Sequence, residues 1–357
     1  MPEARVRRLA AILVGYSLAV KEGETVLLTT TEAGKPLALA AYEEVLKAGG
    51  HPLLEVTFEE ADLLLLRHGR PEQIGHLPKS RLYQARQIDC YLNIRAPLNR
   101  RLLSQAPAGR MAERQRALKP WKDIVIDKKR WVVTNFPTHA LAQEAEMSLS
   151  EYEDFFFRAT NIDWAAVDRE EERLKVLLEQ AKTVRVVGRD TDLSFSIAGR
   201  KARKCAGRSN MPDGEVFTGP RETSAEGEIY YEFPAIYNAR EVTGVRLKFR
   251  RGEVVEARAE KNEEFLHRLL GMDAGAKRLG EFGVGFNYAI RRFTKDILCD
   301  EKIGGTVHLA LGKGYPETGS RNDSALHWDM IKDLRRGGEL YLDGGLIQKD
   351  GKFLWPE

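Results

Sequence analysis

Cysteine is scarce in this chain: Cys90, Cys205 and Cys299 are far apart in 357 residues, with no CxxC pair among them. Such spacing excludes a disulfide framework and a thiolate-rich structural zinc site, and it points to reduced thiols in a cytoplasmic protein. Long apolar runs are missing too. The stretch Leu9–Val20 follows Arg5, Arg7 and Arg8 somewhat as in a signal peptide. It has no A-x-A cleavage site, however, and passes through Lys21-Glu22-Gly23-Glu24 into the strand-like Thr25–Thr29. A buried amphipathic helix is expected there, and no segment approaches the ~20 apolar residues that a membrane span requires. An excess of one charge is also lacking, since 56 basic residues stand against 53 acidic ones, for a net charge of +3. Neither nucleic acid nor an anionic membrane surface is an expected partner. No G-x-G-x-x-G follows the first strand, where Thr30–Lys35 is a plain turn, so a dinucleotide site is not expected. Nor does any G-x-S-x-G or reactive-cysteine context support a serine or cysteine nucleophile.

What is present is enough apolar residue, 43%, to bury sizeable cores, in a chain long enough for two domains. Charged residues reach 31%, above the usual level of about a quarter, and ion-pair-rich surfaces are one habit of thermophile proteins. The first half alternates. Helix 3–19 leads to strand 25–30, helix 35–48, strand 51–58, short helical pieces, strand 88–94, a basic helix near 109–119 and strand 130–134. This rhythm predicts a doubly wound, mostly parallel sheet in an α/β N-terminal domain, residues 1–182. Helical patterns over 139–159 and 163–182 bridge to a second half of different texture. There, strands are expected at 184–188, 192–198, 227–234, 241–250, 253–259 and 303–311, with a helix over 262–279. An α+β metal-binding domain, residues 183–357, is expected to carry the chemistry.

Glu281, His308, Tyr315, His327 and Asp329 fall within 49 residues of that domain, and Glu215 joins them from Met211-Pro212-Asp213-Gly214-Glu215-Val216-Phe217-Thr218-Gly219-Pro220. Carboxylates with neutral imidazoles are the ligand set of catalytic Zn, Co, Mn or Fe sites. Three carboxylates and two histidines exceed the needs of one tetrahedral ion, so two divalent ions are the natural reading. His327 and Asp329, two apart in a strand, would project from one face while Trp328 enters the opposite core. Each residue also has a plainer reading. His308, in Gly304–Gly312, could be a satisfied core histidine, and His327 with Asp329 an ordinary surface pair. Glu281 could end a helix, Glu215 could close a turn, and Tyr315 could simply pack in its loop. Their density within one domain carries the case.

Taken in order, Met211–Thr218, Leu279-Gly280-Glu281-Phe282, Gly305-Thr306-Val307-His308, Gly314-Tyr315-Pro316, Asn322–Asp329 and Leu342-Asp343-Gly344-Gly345 resemble the aminopeptidase T (M29) family of thermophilic metallopeptidases. The motifs span the second domain, whereas the first half shares only its α/β layering. The resemblance implies a cytoplasmic metallo-aminopeptidase that uses a dimetal-activated water on peptides with a free N-terminus. It implies two divalent ions (Zn, Co or Mn) on Glu215, Glu281, His308, His327 and Asp329, with Tyr315 as the catalytic tyrosine. Glu215, Glu281 and Glu317 are all candidates for the general base. A homodimer is implied, its N-terminal domain walling the active site. Phe155-Phe156-Phe157 suits an interface, or else the core of its helix. One departure is the short segment 316–326 between Tyr315 and His327, where longer members carry an insert; it bears on substrate range. Two rivals remain at this level. One is a mononuclear Fe(II) ring-cleaving dioxygenase using His308, His327 and Asp329, since dihydroxypyridine dioxygenases resemble this family in fold. The other is a non-enzymatic metal- or peptide-binding protein.

Overall fold

A computed structural model describes residues 3–104, 106–238 and 240–355. The chain forms two compact units, Met1–Ile162 with Gly207–Pro212, and Asp163–Ala206 with Asp213–Glu357. The division lies upstream of the expected position at 182, for a packing reason. Helix Trp164–Gln180 buries Leu174 and Leu178 in the core of the second unit, so it belongs there and is not a bridge.

In the first unit, strands Thr25–Thr31, His51–Thr57, Cys90–Arg95, Arg130–Asn135 and Asn210–Met211 make an all-parallel sheet. Its order places the first strand between the second and third. Helix Lys35–Lys47 joins the first two strands, and the chain then returns past the first strand to the third, a reversal that right-handed crossovers translate into helices on opposite faces. Leu27 packs on Ala85, Ile88 and Val125 on one side of the sheet. The expected helix 139–159 is two helices, His139–Glu144 and Leu149–Thr160, parted where Glu146 takes a left-handed φ of 55°. Ser148 caps the second one, with Glu151 reaching back to its backbone. Phe155, Phe156 and Phe157 are buried within this unit, so their helix-core reading holds. Among the described residues no helix is long and apolar enough to cross a membrane, and the three cysteines form no disulfide.

The second unit holds an eight-stranded and a five-stranded antiparallel sheet. The smaller sheet runs His327–Asp333, Thr306–Gly312, Leu279–Gly285, Glu215–Thr218, Ala202–Cys205. Period-two alternation sends Val216, Phe282, Val284, Val307, Leu309, Leu311, Trp328 and Met330 into one apolar cluster shared with the larger sheet. Phe282 meets Phe195 edge to face, 5.1 Å between ring centres. Two boundaries differ from expectation. Helix 262–279 is only Glu263–Leu270, ending at Gly271, so Glu281 lies inside a strand and not at a helix end. The segment 241–250 divides into Arg240–Val242 and Val245–Arg250 around Gly244, whose φ is 63°.

Candidate metal centre

The alternation that builds the core also fixes what the other face of the small sheet presents. Register pairs Glu281 with Ala310 and Ala310 with Asp329, so two carboxylates flank a methyl group in one row. In the next row Gly283 lies opposite His308, and in the row beyond, Gly285 lies opposite Glu215. His327 is paired with Gly312. Small residues between functional ones leave the polar side chains room to converge. The clearest case is Gly283, where a Cβ would sit 2.1 Å from both Cε1 and Nε2 of His308.

The resulting chain of contacts is continuous. Nε2 of His308 lies 3.3 Å from Oε2 of Glu215 and 3.5 Å from Oε1 of Glu281. Nε2 of His327 lies 3.4 Å from the other oxygen of Glu281 and 3.4 Å from Oδ2 of Asp329. Glu281 therefore turns one oxygen toward each imidazole. These gaps exceed the 2.7–3.2 Å usual for N–H···O hydrogen bonds. They match the separation of about 3.3–3.4 Å between ligand atoms held at ~2.0–2.1 Å around a tetrahedral ion. His308 is fully buried with neither ring nitrogen hydrogen-bonded, and Oε2 of Glu215 and Oδ1 of Asp329 are likewise buried without a hydrogen bond. Such orphaned acceptors fit ligands to a cation. Nδ1 of His327 lies 2.8 Å from the carbonyl of Lys313; donating there leaves Nε2 as the lone-pair nitrogen.

Glu301 and Lys302 belong to the same cluster and were missed by sequence reasoning. Glu301 joins Glu215 and His308 as one group able to hold an ion, and Glu281, His327 and Asp329 form another. The signal was weak: Asp300-Glu301-Lys302 reads as a charged surface turn, although apolar Leu298-Cys299 and Ile303 bracket it. In the fold Lys302 is fully buried, its Nζ 2.6 Å from Oε1 of Glu215 and 2.5 Å from Oε1 of Glu301. Glu317, in a short helical turn, is exposed and is not among these groups. Tyr315 edges onto His327, ring centres 5.3 Å apart, and packs on Phe217. The short 316–326 segment is pinned from within: Asn322 Nδ2 donates to the carbonyls of Gly312 and Gly275, and Ser324 donates to Asp273.

Electrostatics follow from this crowding. Burial favours neutral His308, but the carboxylates of Glu281 and Glu215 outweigh it and push the pKa up to about 9. Burial likewise opposes charge on His327, yet Asp329 and Glu281 raise it to about 11. Against its own desolvation, Glu281 is held down to about 2 by the two imidazoles. Glu301 is pushed up to about 8, mainly by burial, with Lys302 pulling the other way. The Tyr315 hydroxyl is raised by burial and then by the charges of Glu281 and Asp329, which keeps it a donor.

Comparison with known proteins places the chain in a family. The family model described as thermophilic metalloprotease (M29) matches residues 2–353. Aminopeptidase 2 of Geobacillus stearothermophilus is 27% identical over 98% of this chain and 95% of its own length. Aminopeptidase T of Thermus thermophilus is 32% identical over 57% of this chain and 56% of its own. Among solved structures, wild-type AmpT from Thermus thermophilus superposes with a TM-score of 0.85 at 23% identity, covering 98% of this chain and 99% of that one. The 2,5-dihydroxypyridine dioxygenase of Pseudomonas putida reaches 0.65 at 15% identity, covering 100% and 99%. Both structural likenesses are of fold.

Two expectations follow. Gly283→Ala forces the His308 ring off its position, so it should weaken binding of divalent ions by at least about 10–100-fold, the range seen when a ligand's support is disturbed. Circular dichroism should stay native, and wild-type metal content in the variant would contradict this geometry. Second, both imidazoles carry protons near neutrality without metal, so an ion must displace them. Affinity should therefore rise as pH increases toward about 9, with protons released on binding. Calorimetry in buffers of different ionisation enthalpy measures that release, and binding without it would contradict the assignment.

Proposed function

The chain belongs to the thermophilic metalloprotease (M29) family and is a metallo-aminopeptidase, and from that premise we propose that it removes N-terminal residues from peptides using two divalent ions (Zn, Co or Mn). Glu215, Glu301 and His308 would hold one ion and His327 with Asp329 the other, Glu281 giving an oxygen to each. The observation that carries this is the Glu281 carboxylate, with one oxygen 3.5 Å from His308 and the other 3.4 Å from His327. Such a pair of ions lowers the pKa of water and polarises the scissile carbonyl.

The chain's own residues supply the rest. The free α-amine of the substrate would bind at this centre, on an ion or a nearby carboxylate, which accounts for attack at the N-terminal bond. Tyr315, kept protonated beside that acidic field, donates a hydrogen bond to the oxyanion that develops at the carbonyl. His327 and Tyr315 are the more exposed members, while Glu215, Glu281 and His308 are buried, so substrate approaches from the side of the former pair. A mononuclear oxygenase would use His308, His327 and Asp329 but leave Glu215, Glu281 and Glu301 without work. Hydrolysis employs all of them. A homodimer and a cytoplasmic setting belong to the same reading, the latter supported by three cysteines without a disulfide.

Hydrolysis of an unblocked aminoacyl amide should vanish with chelator and return with Zn, Co or Mn, and an N-acetylated peptide should be cleaved far more slowly than its free-amine twin. Equal kcat/KM on the two peptides, or internal cleavage products, would refute an aminopeptidase. Oxygen uptake on a dihydroxylated N-heterocycle with Fe(II) would instead favour the oxygenase. Tyr315→Phe should lower kcat by about 10²–10³-fold, the size of one oxyanion donor, with metal content unchanged. A variant that loses its ions would make Tyr315 a ligand or a support.

A further inference from the structure

Glu215 also belongs to a second acidic pocket, one that His308 does not share. Sγ of Cys205 and carboxylate oxygens of Asp213 and Glu215 all lie within 4.8 Å of one another, a grouping able to hold an ion. Strand register puts Cys205 directly opposite Glu215, and the amide of Gly214 donates to the Cys205 carbonyl at 2.9 Å, so the pocket is built into the sheet. Helix Trp164–Gln180 closes it with Glu171, fully buried and with neither carboxylate oxygen hydrogen-bonded. Burial, then the charges of Asp213 and Glu215, push Glu171 up to about 10. The pocket holds more acid than its surroundings readily neutralise.

The ammonium of Lys302 stands in this space. Its Nζ is 2.6 Å from Oε1 of Glu215, 2.5 Å from Oε1 of Glu301 and 3.7 Å from Oδ1 of Asp213, on a side chain with no solvent exposure. Three carboxylates around a buried point charge is the arrangement a metal ion would otherwise take. We propose that Lys302 is a positioning residue that acts as a permanent cation. It plugs the Cys205–Asp213–Glu215 pocket against a further metal ion and takes Oε1 of Glu215, so that only Oε2 is presented to the catalytic pair. The count of ions is thus limited from within, and the Cys205 thiol is kept out of the coordination shell. This rests on the metalloenzyme reading above.

The test uses Co(II), whose thiolate complexes show an intense near-ultraviolet charge-transfer band. Wild-type protein loaded with Co(II) should show no such band, and Cys205→Ser should leave its ion count and spectrum unchanged. Lys302→Met, of similar volume and no charge, should gain one further Co(II) per chain together with the thiolate band, and adding Cys205→Ser to it should abolish the band. A Lys302→Met protein that folds but gains neither ion nor band overturns the proposal. So does a thiolate band in the wild type, or an ion lost on Cys205→Ser, and those two arms stand even if Lys302→Met fails to fold. A wild-type protein that binds no divalent ion would instead count against the metalloenzyme reading.

Discussion

Glu281 sits in the middle of a strand, almost fully buried, with an imidazole on each carboxylate oxygen. Burying one carboxylate is costly, and burying it beside Glu215, Glu301 and Asp329 would be prohibitive without cations in the same space. Everything around the site answers that constraint. In the metal-free chain the positive charge comes from Lys302 and from imidazoles whose pKa values are raised to about 9 and about 11. Divalent ions can take over the imidazoles' share by displacing their protons, but Lys302, bonded to two carboxylates at once, is not displaced in this way.

The sheet makes the crowding possible through its size pattern. One face carries Phe282, Val284, Leu309, Leu311, Trp328 and Met330 into a continuous core. The other alternates polar groups with residues that have little or no side chain, namely Gly283, Gly285, Ala310 and Gly312. The rigidity of the packed face is transmitted to the polar one because both belong to the same backbones. This suits a centre whose ligands must be held in place before substrate arrives.

Much of this was legible beforehand because strand geometry is short-range. The period of His327-Trp328-Asp329 puts two polar residues on one face and a core residue on the other, and Trp328 is indeed buried behind them. The alternation of strands and helices in the first half likewise led to a parallel sheet. Boundaries were less legible. The break at Glu146 and the early end of the helix at Gly271 depend on backbone conformations that local propensity constrains weakly. Helix 163–182 was recognised as a helix but misjudged as a bridge, since which core it joins depends on partners distant in sequence.

Glu301 and Lys302 show where sequence stops. Their residue types suggest a solvated turn, and nothing adjacent in the chain says that a glutamate 86 residues upstream will share their space. What the sequence by itself determined is the chemistry available: most of the residues that could bind cations, the shared face of His327 and Asp329, and the layered α/β architecture of the first half. What only the tertiary structure decided is convergence. Register brings Glu215, Glu281, His308 and Asp329 to one place, and burial then turns a surface-like lysine into a fixed cation. Register and burial arise from long-range packing of the two sheets, so no local pattern encodes them.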